Sequence, residues 1–205
     1  MDFYYYSLIF YIFNFSLKKT SLQKFLNFSD KDYSKLFGYI NSCIHANIIY
    51  ISSFLFLLNI IDFSIWIQCF DIIRGYCFYD FLLILYNNPF DYQMIIHHII
   101  FFIGTYNNYI FKYPSQMAIG LLSEISNQFL YFGWFLIKKK LDYTKLFQIN
   151  AIFLLISFFI FRVLNFSYFS FFIFQHCDLF ENILFLPITL LNYYWFYLLL
   201  RKFFN

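Results

Sequence analysis

Charged residues are scarce in this sequence. Asp, Glu, Lys and Arg make up 12% of its 205 residues, whereas 62% are hydrophobic and the mean hydropathy is +0.63. So few charges cannot cover the surface of a soluble globular protein, and 35 Phe and 20 Tyr cannot stay solvated in a disordered chain. The composition therefore excludes both classes and predicts a multi-pass membrane protein.

Cysteine and net charge are also low. The four cysteines, Cys43, Cys69, Cys77 and Cys177, form no C-x-x-C pair, so neither a disulfide framework nor a zinc ribbon is indicated. A formal net charge of +3 is too small to indicate a nucleic-acid partner. We therefore expect no nucleic acid and no structural metal among the partners of this protein.

Apolar runs separated by charged or Pro/Asn clusters predict about seven membrane-spanning helices, since each span needs roughly 20 mostly apolar residues. The expected spans are 3–17, 36–58, 71–87, 94–111, 115–137, 147–174 and 183–202. The first is short enough to tilt or to lie at the interface. We divide the chain into residues 1–35, with the first span and a basic loop, and the domain 36–205.

The lysines and arginines predict an orientation. If the spans alternate, eleven of the 14 Lys and Arg residues lie on one side of the membrane and only Lys112 on the other. The basic side carries Lys18, Lys19, Lys24, Lys31, Lys35, Lys138, Lys139, Lys140, Lys145, Arg201 and Lys202. By the positive-inside rule this side is cytosolic, with the N-terminus lumenal or extracellular and the C-terminus cytosolic.

Most of the expected spans carry polar residues at helical spacing, which places them on one face of each helix. They include Asn41, Ser42 and His45 on the second span, Tyr76 and Asp80 on the third, His97 and His98 on the fourth, Ser123, Glu124, Asn127, Tyr131 and Trp134 on the fifth, and Asn150, Ser157, Arg162 and Asn165 on the sixth. Turning these faces inward buries them all. The pattern predicts an all-α bundle around a polar interior cavity.

The polar side chains divide by chemistry. Ser, Gly and Asn in spanning helices are commonly interhelical packing residues, whereas buried imidazole and carboxylate groups are costly and favour a functional role. We expect Arg162 to be the structural counter-ion of Glu124 or Asp80. Adjacent histidines point about 100° apart on a helix, so one of His97 and His98 can face the interior while the other packs against a neighbouring span.

Several segments together resemble the TLC-domain family of polytopic, lipid-related membrane proteins. The similar segments are residues 41–46 (NSCIHA), 75–80 (GYCFYD), 96–98 (IHH), 121–129 (LLSEISNQF), Trp134 and 161–162 (FR). The pattern is closest to the small TLC-domain-containing proteins. It departs from the ceramide synthases of the same family, because 123–127 (SEISN) lacks the His and the second Asp of their His-Asp-x-x-Asp segment.

The resemblance implies a protein of membrane lipid homeostasis, in the endoplasmic reticulum or a related endomembrane, that binds or senses an acyl or sphingoid-like lipid. The candidate catalytic residues are His97, His98, Glu124 and Asp80. The candidate substrate-binding residues are His45, Ser126, Asn127, Trp134 and Arg162. The expected partner is membrane lipid, with a homo-oligomer as a further possibility.

Two enzymatic alternatives stay open. In an acyl-CoA-dependent N-acyltransferase, His97 or His98 deprotonates an amine or hydroxyl and Glu124 or Asp80 orients the imidazole. Acyl-CoA is expected only in that case, and otherwise no cofactor is expected. In a seven-span zinc amidase, the ligands are instead His45, His97, His98 and Asp80.

Overall fold

The computed structural model describes residues 3–18, 25–87, 90–106 and 109–204. Within these ranges the chain forms helices joined by short turns and no β-strand. The helices are α1 (Phe3–Lys18), α2 (Asp30–Leu57), α3 (Phe63–Trp66), α4 (Cys69–Asn87), α5 (Tyr92–Gly104), α6 (Tyr109–Lys112), α7 (Pro114–Leu121), α8 (Ser126–Lys138), α9 (Lys145–Phe158), α10 (Asn165–His176) and α11 (Leu179–Phe204). The all-α prediction is therefore confirmed for the described residues.

Two non-α segments continue the longer helices without a break. A 3₁₀ turn, Leu122–Ile125, joins α7 to α8, and a π-helical segment, Phe159–Leu164, joins α9 to α10. Within the described ranges, three helices are long and apolar enough to cross a membrane: Asp30–Leu57, Lys145–His176 and Leu179–Phe204. Apolar helices of this length are typical of integral membrane proteins.

Local sequence sets where these helices begin. The side chains of Ser29, Asp91 and Thr144 each accept a hydrogen bond from the backbone N–H three residues on, at the starts of α2, α5 and α9. These side chains occupy the N-cap position, where a short oxygen-bearing side chain satisfies a free helix amide. Pro114 is the first residue of α7, where its missing N–H costs no helix hydrogen bond.

The predicted fourth span, 94–111, is too long at its end. Its helix, α5, ends at Gly104, and Arg74 of α4 donates hydrogen bonds to the backbone oxygen and to Oγ1 of Thr105, at 2.9 and 3.2 Å. Thr105 is therefore held by a neighbouring helix instead of continuing α5. Composition alone did not reveal this stop, because the following residues are still partly apolar.

Helix α1 is packed tightly against the bundle. A Cβ atom added at Gly75 of α4 would lie 2.5 Å from Tyr6 Cβ and 2.8 Å from the Phe3 carbonyl oxygen. Asn41 of α2 also donates a hydrogen bond of 3.2 Å to the Phe10 carbonyl. The first short helix is thus held by two neighbouring helices. The predicted division at 35/36 falls inside α2 and stays a prediction.

Two basic segments meet at one end of the bundle. Lys138 Nζ lies 2.8 Å from Asp32 Oδ1, and Lys139 donates a 2.6 Å hydrogen bond to the Leu26 carbonyl. The segments that the charge pattern assigns to the same side therefore lie at the same end in the structure. The side chain of Lys18, and Lys19 and Lys24 entirely, lie outside the described residues.

Candidate functional site

The 3₁₀ turn and the π-helical segment contact each other inside the bundle. Glu124 lies on the first and Arg162 on the second, and both side chains are buried. Short π segments inside long helices are often found at functional sites, since the inserted residue turns a side chain away from its regular position. The two irregular segments thus present opposite charges to each other.

Arg162 is held by side chains from two other helices. Its Nε donates to Ser126 Oγ at 2.8 Å, Nη2 to Asn127 Oδ1 at 2.8 Å and Nη1 to Asn192 Oδ1 at 3.2 Å. We call these residues, with Glu124, the arginine cluster. Each of the three guanidinium nitrogens donates to a neutral oxygen, and these bonds fix the position of the planar group.

Glu124 completes the arginine cluster. Its Oε1 lies 3.8 Å from Arg162 Nη2, and its Oε2 accepts a 2.5 Å hydrogen bond from Asn127 Nδ2. Asn127 therefore bridges the two ions through both ends of its amide. The predicted pairing of Arg162 with Glu124 is confirmed, and Asp80, the other expected counter-ion, contacts a histidine instead.

That histidine is His98. Its Nε2 lies 2.8 Å from Asp80 Oδ2, across the packed helices α4 and α5. Both ring nitrogens of His98 are buried, and neither makes a hydrogen bond within the described residues. The Asp80 carboxylate thus lies at ion-pair distance from one side of the imidazole.

His45 and Tyr76 extend this group. The His45 ring stacks on Tyr76 with centroids 4.1 Å apart, and Tyr76 lies edge-on to His98 at 5.9 Å. Both ring nitrogens of His45 are buried and have no hydrogen-bond partner among the described residues. We call His45, Tyr76, Asp80 and His98 the histidine cluster, which joins α2, α4 and α5.

The two adjacent histidines differ as the helical geometry predicts. His98 is buried in the histidine cluster, whereas His97 is partly exposed and packs against Phe101 at 4.6 Å and Trp195 at 5.7 Å. Of the pair, only His98 contacts a carboxylate among the described residues. The structure thus separates two residues that the sequence left equivalent.

The interior differs from the expected polar cavity. The side chains of the arginine cluster hydrogen-bond one another, as polar groups in a dry bilayer interior do, whereas His45 and His98 make no hydrogen bond within the described residues. A cavity inside the bundle has apolar side chains and Thr105 in its wall, among them Phe70, Phe101, Phe166, Phe169 and Phe185. The residues of the arginine and histidine clusters therefore do not line this cavity.

A wider groove lies on the outer face of the bundle between α2, α8 and α9. Its wall is mainly apolar and contains Leu36, Tyr39, Ile40, Cys43, Ile44, Asn47, Gln128, Phe129, Tyr131, Phe132, Phe135, Leu146, Ile149, Asn150 and Phe153. Tyr131 Oη accepts a 2.8 Å hydrogen bond from Ser42, one turn of α2 before His45. Ser42 thus links the groove wall to the helix that carries His45.

The predicted site residues fall into four places, one of which is that of His97 against Phe101 and Trp195. Ser126, Asn127, Glu124 and Arg162 belong to the arginine cluster, and His45, Asp80 and His98 to the histidine cluster. Trp134 lies apart, edge-on to Tyr39 at 4.9 Å and to Phe28 at 6.1 Å.

Sequence reasoning missed Asn192, the acceptor for Arg162 on the last helix. It is 2% exposed inside α11, so the rule applied to the other spans, that a polar residue within an apolar run faces inward, would have found it.

Metal ligands require several donors around one point. Among the described residues, no three His, Cys, Asp or Glu side chains converge to hold a metal ion. The zinc amidase alternative, which uses His45, His97, His98 and Asp80, therefore rests on the sequence alone.

Comparison with known proteins supports the family resemblance described above. A family model described as TLC domain matches residues 42–201. The chain belongs to the TLC domain family. A stretch of 83 residues is 39% identical to TLC domain-containing protein 4 A of Dictyostelium discoideum, and covers 39% of this chain and 32% of that protein.

The match thus spans about a third of the length of that curated relative. No solved structure shows significant similarity to this TLC-domain chain. The family membership is consistent with a membrane lipid-related role.

Proposed function

We propose that this TLC-domain protein acts in membrane lipid homeostasis by binding an acyl or sphingoid-like lipid, with its chain in the groove between α2, α8 and α9. The groove carries the proposal. Its outer wall includes Ile149 and Phe153, which are 52% and 53% exposed on a surface that faces hydrocarbon in a membrane. A lipid chain is the apolar occupant available there.

The length of the groove matches that of one lipid chain in one leaflet of the bilayer. Its wall follows α2 from Leu36 to Asn47, which is about 16 Å at 1.5 Å per residue. Half of a hydrocarbon core of roughly 30 Å has nearly the same length. At the inner end, Asn47 donates a 3.2 Å hydrogen bond to Gln128, so the polar groups there satisfy each other.

Native mass spectrometry of the purified protein tests the proposal, with co-purified lipid expected as a non-covalent adduct. Ile149→Trp, which fills the groove, should reduce the adduct at least about tenfold. Ile152→Trp is the matched control, since Ile152 is similarly exposed on α9 but is not part of the groove wall. Equal adducts in both variants would contradict lipid binding in the groove.

The topology belongs to the same proposal. Seven segments would each cross or enter the bilayer: α1, α2, α4, α5, the helices between 114 and 138, those between 145 and 176, and α11. Local thinning of the bilayer would accommodate the short helices α1 and α5. The N-terminus is then lumenal and the C-terminus cytosolic, in the endoplasmic reticulum or a related membrane. Association of identical copies is compatible with this arrangement.

An acyltransferase is the second candidate, and the contact between His98 and Asp80 favours it. With the carboxylate beside Nε2, Nδ1 of His98 would take the proton of an amine or hydroxyl as that group attacks the thioester carbonyl of acyl-CoA, and would return the proton to the departing CoA thiolate as the C–S bond breaks. Glu124, engaged by Arg162 and Asn127, would stabilise the bundle instead of orienting the imidazole.

The two candidate functions predict different masses of the protein after incubation with acyl-CoA, and different turnover. Incubation of the purified protein with acyl-CoA and a sphingoid base should yield N-acylated product from an acyltransferase, and a covalent acyl mass shift where the acyl group passes through His98. A lipid-binding protein should yield neither, and should retain its lipid after mild heating only as a non-covalent adduct.

A further inference from the structure

The groove has lysines at one end only. We infer that it selects a phospholipid with an anionic head group from the leaflet on the lysine-bearing side. This inference rests on the proposed function and narrows it, because it names the charge of the lipid. The positive charge lies where the chain of a bound lipid would end and its head group begin.

Helix α2 carries the first of these lysines. Lys35 directly precedes Leu36, the first residue of the groove wall on this helix, and it is exposed. Its Nζ lies 5.4 Å from the ring centroid of Tyr39, which belongs to the same wall. The ammonium group is therefore held at the mouth of the groove.

The other two helices of the groove wall also carry lysines at this end of the groove. α8 runs from the groove residue Phe135 to Lys138 and Lys139 one turn later, and on α9 the exposed Lys145 directly precedes the groove residue Leu146. The ion pair between Lys138 and Asp32 joins the end of α8 to the start of α2. Each of the three helices that form the groove wall thus carries lysines at the same end of the groove.

The charge is uneven along the groove. The segments 30–35 and 138–145, which adjoin the groove wall at this end, contain six lysines and three aspartates: Lys31, Lys35, Lys138, Lys139, Lys140, Lys145, Asp30, Asp32 and Asp142. One of the aspartates, Asp32, is already paired with Lys138. The inner end holds the neutral amides of Asn47 and Gln128.

A phosphate head group at the mouth therefore gains attraction from Lys35 and Lys145, each worth about fivefold in affinity. The cationic head group of a sphingoid base is repelled there. Since the wall covers about one leaflet, the lipid comes from the leaflet on this side of the bilayer.

The test is native mass spectrometry after exchange into micelles with equal amounts of phosphatidylglycerol, phosphatidylcholine and sphingosine. We expect the phosphatidylglycerol adduct to exceed each of the others at least about tenfold. Lys35→Gln with Lys145→Gln should remove most of this preference, by about fivefold for each lysine. Lys112→Gln, at the lone basic position assigned to the other side, should leave it unchanged.

The outcomes separate this inference from the proposed function. Equal adducts of all three lipids, sensitive to Ile149→Trp, would overturn the selection and leave lipid binding standing. Adducts that Ile149→Trp does not reduce would overturn both. Inorganic phosphate at the same concentration should not displace phosphatidylglycerol, and displacement by it would overturn binding through a lipid chain. A preference for sphingosine would show that the groove selects a cationic head group, and would overturn the inference.

Discussion

Arg162 and Glu124 face each other across 3.8 Å at the point where each helix departs from α geometry, one in a π segment and the other in a 3₁₀ turn. Asn127 bonds to both ions. A buried ion pair of this kind is costly to break from one side, because the remaining charge has no partner.

Neutralising one member of that pair should destabilise the protein more than neutralising both. We expect Arg162→Gln and Glu124→Gln each to cost about 3 kcal/mol, with part of the loss recovered in the double variant. Thermal melting in detergent measures the effect. The pair Lys138 and Asp32, whose side chains are 37% and 25% exposed, is the control and should contribute at most about 1 kcal/mol. Strictly additive losses at Arg162 and Glu124 would contradict the pairing.

The crossing of α1 and α4 should tolerate no added atom at Gly75. Gly75→Ala places a Cβ 2.5 Å from Tyr6 Cβ and 2.8 Å from a backbone oxygen, so the helices must move apart at a cost of about 1 to 3 kcal/mol. Gly38→Ala is the matched control, because a Cβ there meets nothing within 4 Å and alanine favours a helix. Melting temperature should fall for the first variant only. Similar stability of both would show that α1 is loosely attached.

The two basic segments should prove to be on one side of the membrane. Because Lys138 contacts Asp32, glycosylation acceptor sites inserted at 25–29 and at 139–144 should behave alike, and both should stay unmodified if that side is cytosolic. A site inserted at 58–62, at the other end of α2, should be glycosylated. Modification of only one of the first two would be incompatible with the fold.

The adjacent histidines should differ if the protein transfers acyl groups. His98→Ala should lower kcat at least about 100-fold, since a general base would be lost, and Asp80→Asn should lower it as well. His97→Ala should have a smaller effect, because its ring packs on Phe101 and Trp195. Equal losses would contradict the assignment to His98, whereas no transfer by the parent protein would favour the lipid-binding function.

Much of the site could be predicted because burying a polar residue in hydrocarbon is expensive wherever it occurs. That cost identified Glu124, Arg162, His98 and Asp80 from composition and spacing. It could not pair them, since either carboxylate could serve either cation. Asp80 contacts His98 because α4 packs on α5, and Glu124 contacts Arg162 because the 3₁₀ turn meets the π segment.

The sequence by itself determined that this chain is an all-helical membrane protein, where its longest apolar helices lie and which polar residues cannot face lipid, because these follow from the transfer cost of each residue. The tertiary structure alone decided which of two adjacent histidines is buried, which carboxylate it contacts, and that open space lies in a groove between α2, α8 and α9. Such features depend on helix rotation and local irregularities, such as the π segment at Arg162, and these are set by packing between distant parts of the chain.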